Sequence, residues 1–465
     1  MVREQPRPRA HVGPVCLVGA GSSGITAAKA LFEAKIPFDC FEASDRVGGN
    51  WVFGNANGMS SAYEGLYINT SRERMAYSDF PMPRSYPDFP HHSQIARYFE
   101  DYVDRFGFRD AIHFRTSVTH IAEDVAGRAG GSAGAGGRWR VRVRRAGASE
   151  DEERAYAAVL IANGHHWDPL LPDPPFPGRF SGRALHAHHY KSKDELRGKR
   201  VVVVGMGNSA MDIAVESSEV AERTFLSGRR GVHVIPKYAF GRPIDQFFTS
   251  ARLPWSVRQR MGEALQRLAV GDMERYGLPK PDHRLGEAHP TISGRILDRL
   301  THGAITPKPD VAELLGDRVR FVDGSVETAD VIVYCTGYKV TFPFFDPSFV
   351  SAKDNDLPLF MRVFHPDHEG LAFVGLLQPL GAIMPLAEAQ GRWIARWLLG
   401  DYALPPPDAM RAQMAEERRR MFARYVKSKR HTMQVDFDDY LLDMDRELER
   451  GAKRAATIGR ARGRT

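Results

Sequence analysis

The amino-acid sequence predicts an α/β protein with two similar units, each opened by a strand, a glycine turn and a helix. The first unit starts at Val15 with VCLVGAGSSGITAAKALFEA, and the second starts at Val201 with VVVVGMGNSAMDIAVE. In both, an apolar run precedes the glycines and an alanine-rich stretch follows, as in a buried parallel strand that leads into a helix. This pattern is typical of a Rossmann-like dinucleotide-binding domain, and 465 residues leave room for two of them.

The composition is that of a globular protein, with 43% hydrophobic and 26% charged residues. No apolar run approaches the roughly 18 residues that a membrane span needs. The polar N-terminus lacks the apolar core and small-residue cleavage site of a signal peptide. We therefore expect a cytoplasmic protein without a membrane partner.

The net charge of +7 raises the question of nucleic-acid binding. Five of the basic residues lie in 451–465, which has no acidic residue, and the rest of the chain carries only +2. This pattern predicts a basic, disordered tail and no nucleic-acid partner. Cys16, Cys40 and Cys335 lie in apolar runs without C-x-x-C spacing, so we expect buried, reduced thiols.

The first glycine turn has the spacing needed to hold a pyrophosphate. Gly19 permits the tight turn, Gly21 lets the backbone approach the phosphates, and Gly24 packs the helix on the strand. Ser23 belongs to the same predicted phosphate site at the helix N-terminus. Glu42 follows 23 residues after Gly19, where a carboxylate can bind the ribose diol of an unphosphorylated adenosine.

The second turn has Gly205 and Gly207, with Ala210 in the third position. Alanine is tolerated there with slightly looser packing of the helix on the strand. Asn208 and Ser209 open the helix and belong to the predicted cofactor site.

The strand after the second helix ends at a basic turn. Ser227, Arg229 and Arg230 stand where the first unit has its carboxylate. A carboxylate would repel a 2′-phosphate, whereas an arginine fork binds it, so this unit predicts NADPH. The alternative is a basic turn on the surface. Two dinucleotides on one chain indicate hydride transfer between them, with FAD and NADPH as the natural pair.

FSGRALHAHHYK, residues 180–191, lies between the two glycine turns and carries the pattern F-x-G-x-x-x-H-x-x-x-Y. With RVGGNW, INTSRERMAYSDFPMP, ANGHHWDP, YCTGY and FVGLLQPLGAIMPLAEAQGRW, it resembles the flavin-containing monooxygenases, the class B flavoproteins, over nearly the whole chain. The resemblance implies a domain junction at this pattern, whose residues are Phe180, Gly182, His186 and Tyr190. A metal site on its three histidines is the alternative, but their spacing matches no known ligand set, and we expect no metal.

The resemblance also implies a reaction. In the family, NADPH reduces FAD, O₂ adds to give a flavin C4a-hydroperoxide, and one oxygen atom passes to a soft nitrogen or sulfur nucleophile. Baeyer–Villiger relatives, which oxidise ketones, carry tryptophan at the position of Tyr190 and then proline or aspartate where this chain has Lys191. Baeyer–Villiger chemistry is therefore the second choice. An NADPH oxidase or reductase and a non-enzymatic nucleotide-binding protein are further alternatives, whereas a disulfide reductase needs a cysteine pair.

Several site residues follow only from the resemblance. Asn69 matches a family asparagine beside the flavin that helps to hold the hydroperoxide, although an asparagine in a turn is the simpler alternative. Gln378 matches a position near the flavin ring, and a loop residue bonded to the backbone is the alternative. Gly49, Asn50 and Trp51, in RVGGNW, are expected to contact the cofactor.

The predicted organisation has an FAD-binding domain in two pieces, 1–170 and 336–450. The NADPH-binding domain spans 171–335, with an insertion at about 239–306 that we expect to roof the substrate pocket, and the tail is 451–465. The predicted partners are a small-molecule substrate and O₂, and the sequence is compatible with a homodimer. Nothing in the sequence identifies the substrate.

Overall fold

The computed structural model describes residues 13–124, 138–247, 253–425 and 432–462. Its first layer is a five-stranded parallel sheet with the strand order Leu371–Phe373, Ala158–Ile161, Val15–Val18, Phe38–Phe41 and Ile112–His113. One edge strand comes from the last quarter of the chain and the others from the first 161 residues. The predicted domain built from N- and C-terminal segments is therefore confirmed.

A second five-stranded parallel sheet has the order Arg183–His186, Val331–Tyr334, Arg200–Val204, Arg223–Ser227 and Thr306–Lys308. In both sheets the strand before the glycine turn lies in the middle and is almost fully buried. This burial explains the uninterrupted valine run of 201–204, because a central parallel strand is covered on both faces. The predicted α/β class with two Rossmann-like domains is confirmed.

The helices within the described residues are α1 Ser22–Glu33, α2 Arg72–Met75, α3 His92–Phe106, α4 Asn208–Val220, α5 Trp255–Ala269, α6 Ile296–Thr301, α7 Met384–Leu398, α8 Pro407–Arg424 and α9 Phe437–Arg462. Helix α7 crosses α1 closely, since a Cβ at Gly391 would lie 3.0 Å from the Cα of Ala27. No helix in the described part of the chain is long and apolar enough to cross a membrane.

An antiparallel sheet of Thr116–Glu123, Trp139–Arg145 and Glu152–Tyr156 covers one face of the first domain. In its middle strand Trp139, Val141 and Val143 are buried and the arginines between them face outward, as the period-two pattern predicts. The glycine-rich sequence AGRAGGSAGAGGR, residues 126–138, predicts a disordered hairpin tip between the first two of these strands, and it lies outside the described residues except for Arg138.

Shorter strands complete the structure. A four-stranded sheet has the order Val326–Thr328, Arg318–Phe321, Val311–Gly316 and Gly178–Phe180. The remaining strands form pairs: Tyr238–Ala239 with Arg242–Pro243, Val234–Ile235 with Thr291–Ile292, Asp168–Pro169 with Tyr338–Lys339, and Gln378–Leu380 with Gln434–Asp436. The pair Asp168–Pro169 and Tyr338–Lys339 is antiparallel. The chain therefore leaves the first domain and returns to it along two adjacent strands. Cys16 and Cys40 are buried free thiols and Cys335 is half-buried.

The prediction of a disordered tail is wrong for residues 451–462, which continue α9. Gly451 lies flat against a buried ring, since a Cβ there would come within 1.9 Å of Tyr402. Arg454 donates to the Glu447 carboxylate at 2.5 Å and to the carbonyl of Ala403 at 2.9 Å. Packing and a buried counter-charge order this segment, although its composition is typical of a solvated end. Residues 463–465 lie outside the described residues.

Candidate functional site

The first glycine turn joins the strand Val15–Val18 to α1. Gly19 has φ +98°, and a Cβ there would lie 2.7 Å from the carbonyl oxygen of Ala162. A Cβ at Gly24 would lie 1.8 Å from the carbonyl oxygen of Gly19, so helix and strand touch at a point with no room for a side chain. Gly21 is the N-cap residue of α1, and it has no side chain to cap the helix. The first N–H groups of α1 are thus left for an anion, and the turn fits a dinucleotide pyrophosphate.

Glu42 follows the neighbouring strand and folds back onto this turn. Its two carboxylate oxygens accept hydrogen bonds from the backbone N–H groups of Ala20 and Ser44, each at 2.7 Å. Burial raises the pKa of the Glu42 carboxyl, and the two N–H donors counteract the rise. A carboxylate oxygen has a second lone pair, so Glu42 can also accept a ribose hydroxyl.

The segment Gly49–Trp51 lies against the same turn. A Cβ at Gly49 would come within 3.2 Å of the Cα of Gly21, so two backbones meet here. The Oδ1 of Asn50 accepts hydrogen bonds from the N–H and hydroxyl of Ser61, both at 2.8 Å. Trp51 packs half-buried on the core of the first domain. The structure thus brings these residues beside the predicted pyrophosphate site.

Ser23 lies in the first turn of α1, next to a glycine of the C-terminal segment. A Cβ at Gly375 would lie 2.0 Å from its hydroxyl oxygen. Gln378 follows three residues later, half-buried, and its backbone N–H donates to Met433 at 2.9 Å. The two ends of the first domain therefore meet at the predicted FAD site.

The second glycine turn repeats this geometry. Gly205 has φ +135°, and a Cβ there would lie 2.6 Å from the carbonyl oxygen of Cys335. Gly207 is the N-cap residue of α4 and makes no side-chain cap. Ser209 lies in the first turn of that helix. Asn208 accepts a hydrogen bond from the N–H of Ile292 at 2.9 Å. The turn fits a second pyrophosphate, and the hydrogen bond between Asn208 and Ile292 fixes its position.

The basic turn after Arg223–Ser227 divides into a buried and an exposed part. The Ser227 hydroxyl is fully buried and donates to the carbonyl of Pro309 at 2.7 Å, so its proton is already engaged. Arg229 and Arg230 are exposed beyond it, and Nε of Arg230 lies 3.8 Å from the carboxylate of Asp282. The two guanidinium groups are the part of this turn that faces solvent.

At the domain junction, two tyrosines bind two acids of α4. The hydroxyl of Tyr190 donates to Glu216 at 2.5 Å, and the hydroxyl of Tyr63 donates to Asp212 at 2.7 Å. Burial raises the pKa of Asp212 to about 6 and also raises the pKa of Glu216. Tyr63 belongs to the first domain and α4 to the second, so the bond between Tyr63 and Asp212 joins the domains, whereas the bond between Tyr190 and Glu216 lies within the second domain.

Lys191 crosses the same junction. Its ammonium donates to the carbonyl oxygens of Ser60 at 2.8 Å, Ala62 at 3.2 Å and His188 at 2.9 Å. The sequence analysis used Lys191 only to separate two chemistries and missed this contact. Burial lowers the pKa of the ammonium.

His186 packs in the middle of the junction, with its ring centroid 5.2 Å from that of Tyr338. Its Nδ1 accepts a hydrogen bond from the N–H of His188, and burial lowers the pKa of the ring to about 4. A Cβ at Gly182 would lie 2.5 Å from the backbone carbonyl oxygen of Asp330 and 2.7 Å from the ring of Phe180, which explains this glycine. Within the described residues, no group of three histidine, cysteine or acidic side chains is arranged to hold a metal.

Asn69 follows a buried residue of the first domain. Its Oδ1 is buried and has no hydrogen-bond partner among the described residues. An orphaned amide oxygen is costly unless a ligand donates to it, so the geometry fits a bound cofactor or substrate group here. The carboxylate of Asp245, from the insertion, accepts the N–H of Ser71 at 2.6 Å.

The sequence analysis missed several residues that the structure brings to the site. Asp212 and Glu216 were detectable, because acids four residues apart on an otherwise apolar helix face need buried partners. Lys237, which donates to the carbonyl of Ile68 and lies just before the predicted insertion, and Asp245, inside it, had no such signal, since this stretch of the chain has no repeating pattern.

Comparison with known proteins identifies the family. The family described as "Flavin-binding monooxygenase-like" matches residues 13–454. The chain is 38% identical to flavin-containing monooxygenase 5 of Rattus norvegicus over 440 residues, which is 91% of this chain and 80% of that protein. It is 34% identical to dimethylaniline monooxygenase [N-oxide-forming] 2 of Pan troglodytes over 461 residues, or 94% of this chain and 83% of that one.

Solved structures agree on the fold. S-allyl-L-cysteine S-oxygenase from Allium sativum superposes with a TM-score of 0.69 at 23% identity, covering 95% of this chain and 88% of that one. Oxidized steroid monooxygenase bound to NADP superposes with a TM-score of 0.70 at 18% identity, covering 95% and 98%. The chain belongs to the flavin-binding monooxygenase-like family and is a monooxygenase that uses FAD and NADPH.

Proposed function

We propose that this monooxygenase transfers one oxygen atom from O₂ to a soft nitrogen or sulfur atom of a small molecule. The observation that carries the proposal is the junction at Tyr190 and Lys191, where Baeyer–Villiger relatives have tryptophan and then proline or aspartate. Here the phenol is bound to Glu216 and the ammonium is bound by three carbonyl oxygens. Neither proline nor aspartate has an ammonium group to donate to these three carbonyl oxygens. The N-oxide-forming relative supports the same substrate class.

The chain's own residues bind and orient the two cofactors in this proposal. The turn Gly19–Gly24 and the N-terminus of α1 hold the pyrophosphate of FAD, and Glu42 binds its ribose. The turn Gly205–Gly207 holds NADPH, and Arg229 with Arg230 selects its 2′-phosphate. FAD supplies the oxygen-activating chemistry when bound, which is consistent with a protein that contributes no acid–base pair.

Asn69 is the residue we propose for the catalytic role. Its unpartnered Oδ1 accepts a hydrogen bond from a donor group of the bound flavin or substrate, and its amide NH₂ can donate in return. Asn69→Ala should leave FAD bound and reducible by NADPH but should divert more of the consumed NADPH into hydrogen peroxide. The measurement is the ratio of peroxide to NADPH, and an unchanged ratio would exclude this role.

Product analysis tests the substrate class. The holoenzyme is supplied with NADPH and O₂ together with a tertiary amine, a thioether or a cyclic ketone, and products are identified by mass spectrometry. We expect an N-oxide or S-oxide formed in proportion to NADPH consumption. A lactone as the main product would establish Baeyer–Villiger chemistry instead, and peroxide alone with all three would indicate an NADPH oxidase. The domain boundaries, cytoplasmic location and homodimer stay predictions, which limited proteolysis, cell fractionation and light scattering would test.

A further inference from the structure

Two residues of the other domain, Lys237 and Asp245, bind the main chain on either side of Asn69. The ammonium of Lys237 donates to the carbonyl of Ile68 at 3.0 Å, one residue before Asn69. The carboxylate of Asp245 accepts the N–H of Ser71 at 2.6 Å, two residues after it. Both contacts are to the backbone, so they fix the main chain on either side of the Asn69 side chain. We call these two hydrogen bonds, from Lys237 and to Asp245, the grip.

We propose that Lys237 and Asp245 are positioning residues that keep Asn69 aligned for oxygen transfer. The proposal rests on the role given to Asn69 above. It assigns the insertion a second task besides covering the substrate, because the insertion fixes a residue of the FAD-binding domain from the NADPH side.

A continuous set of contacts links Lys237 and Asp245 to the second glycine turn. The part of the chain that contains Lys237 and Asp245 lies between the paired strands Val234–Ile235 and Thr291–Ile292. The hydroxyl of Thr291 donates to the carbonyl of Met206 at 2.7 Å, and the N–H of Ile292 donates to Asn208 at 2.9 Å. The residues that we expect to hold NADPH are thus tied to the strands that lead directly into Lys237.

The insertion is also anchored at its far end. Arg258 of α5 binds the carboxylates of Asp436 at 3.3 Å and Asp439 at 2.7 Å, and its side chain is only 7% exposed. Asp436 belongs to the strand that pairs with Gln378–Leu380. Because the insertion is fastened at both ends, Lys237 and Asp245 act from a fixed support rather than from a free loop.

The charge and burial of Lys237 and Asp245 favour a positioning role over simple packing. Lys237 lies 4.8 Å from the ring of Phe89, and burial lowers the pKa of its ammonium. One oxygen of Asp245 is bound to Ser71 and the other is buried without a partner among the described residues. Placing two charged groups here for packing alone is unfavourable, since apolar side chains of similar size would cost less.

The test compares Asp245→Ala, Asp245→Asn and Lys237→Met in the FAD-loaded, full-length enzyme. Hydrogen exchange of the peptide that contains Ile68–Ser71 reports the grip directly. Peroxide released per NADPH consumed reports the alignment of Asn69. Glu263→Gln is the matched control, because it neutralises a carboxylate of the same insertion whose ion pair is with the exposed Arg284 and not with the segment around Asn69.

We expect Asp245→Ala and Lys237→Met to speed exchange of this peptide about tenfold and to raise the peroxide fraction several-fold. FAD content and the rate of flavin reduction should stay within twofold of the unmodified enzyme. Asp245→Asn keeps an acceptor oxygen for Ser71 and should restore most of the coupling. In an Asn69→Ala background, Asp245→Ala should add little, since both changes act through one residue.

Unchanged exchange in both grip variants would overturn the proposal. Loss of FAD with no rescue by Asp245→Asn would also overturn it, because the role would then be structural. Faster exchange with unchanged peroxide release, while Asn69→Ala does raise the release, would show that the grip does not align Asn69. If Asn69→Ala itself has no effect, the proposed function of Asn69 fails, and that failure is visible separately from the exchange result.

Discussion

The ammonium of Lys191 lies 2.8 Å from the carbonyl oxygen of Ser60, and this hydrogen bond fastens the NADPH-binding domain to the FAD-binding domain. Two further carbonyls complete its environment. A cation that satisfies three buried acceptors leaves all of them unpaired when it is removed. We therefore expect the junction to be sensitive to the loss of this one side chain.

Lys191→Met should weaken the junction. We expect the free energy of unfolding to fall by about 2 kcal/mol, because hydrogen bonds to a charged group are lost in a buried place. Flavin reduction by NADPH should slow several-fold as the domains lose their alignment. Urea unfolding and anaerobic stopped-flow absorbance measure the two effects. Lys193→Met is the control, since Lys193 is 43% exposed and solvent screens its pair with Glu219.

Gly24→Ala should prevent FAD binding. The added methyl group would lie 1.8 Å from the carbonyl oxygen of Gly19, so α1 must move away from the strand. Overpacking of this kind costs about 3 kcal/mol or more and displaces the helix N-terminus. FAD content after purification, read from the flavin absorbance, should drop more than about tenfold. Gly294→Ala is the control because no atom lies within 4 Å of its Cβ position, and equal FAD content in both variants would contradict the prediction.

Arg229→Ala should weaken NADPH without affecting NADH. A charge-assisted hydrogen bond to the 2′-phosphate contributes about 1.5–3 kcal/mol, which corresponds to roughly ten- to a hundredfold in affinity. The buried hydroxyl of Ser227 is already bound to Pro309 and cannot compensate by donating. Steady-state KM values for both nucleotides measure the effect. Arg223→Ala, at the exposed start of the same strand, is the control, and equal loss for NADPH and NADH would refute the 2′-phosphate role.

Asp212→Asn should change how stability depends on pH. The pKa of Asp212 is raised from 3.8 to about 6 by burial, against the opposing effects of Tyr63, Lys237 and Arg295. The folded state therefore binds a proton more readily than the unfolded state, and stability from this group is lost as the pH rises from about 4 to 6. Asparagine has no proton to lose and still accepts from Tyr63.

The melting temperature of the asparagine variant should therefore gain on the unmodified enzyme between pH 4 and pH 6 and then stay level. Thermal unfolding of the holoenzyme over this range measures the difference. Asp298→Asn, which changes an exposed carboxylate of α6, should follow the unmodified enzyme. A constant difference at every pH would mean that Asp212 is charged throughout.

The sequence by itself determined both dinucleotide-binding units. Gly19 and Gly205 lie in the turns and Gly24 lies in the first helix, at positions where the structure leaves no room for a side chain, and the apolar runs before the turns form the central strands. These features are readable because strand, turn and helix depend on residues close together in the chain. The resemblance carried by the junction pattern extended this reading to the family and the cofactors.

Only the tertiary structure decided what holds the site together. Lys237 grips the chain beside Asn69 from a position 169 residues away, and Lys191 reaches Ser60 across 131 residues. The basic end of the chain, which its composition assigned to solvent, is helical through Arg462 because Tyr402 and Glu447 give it a surface and a counter-charge. Contacts of this kind follow from how distant elements pack, and local sequence patterns carry no record of that packing.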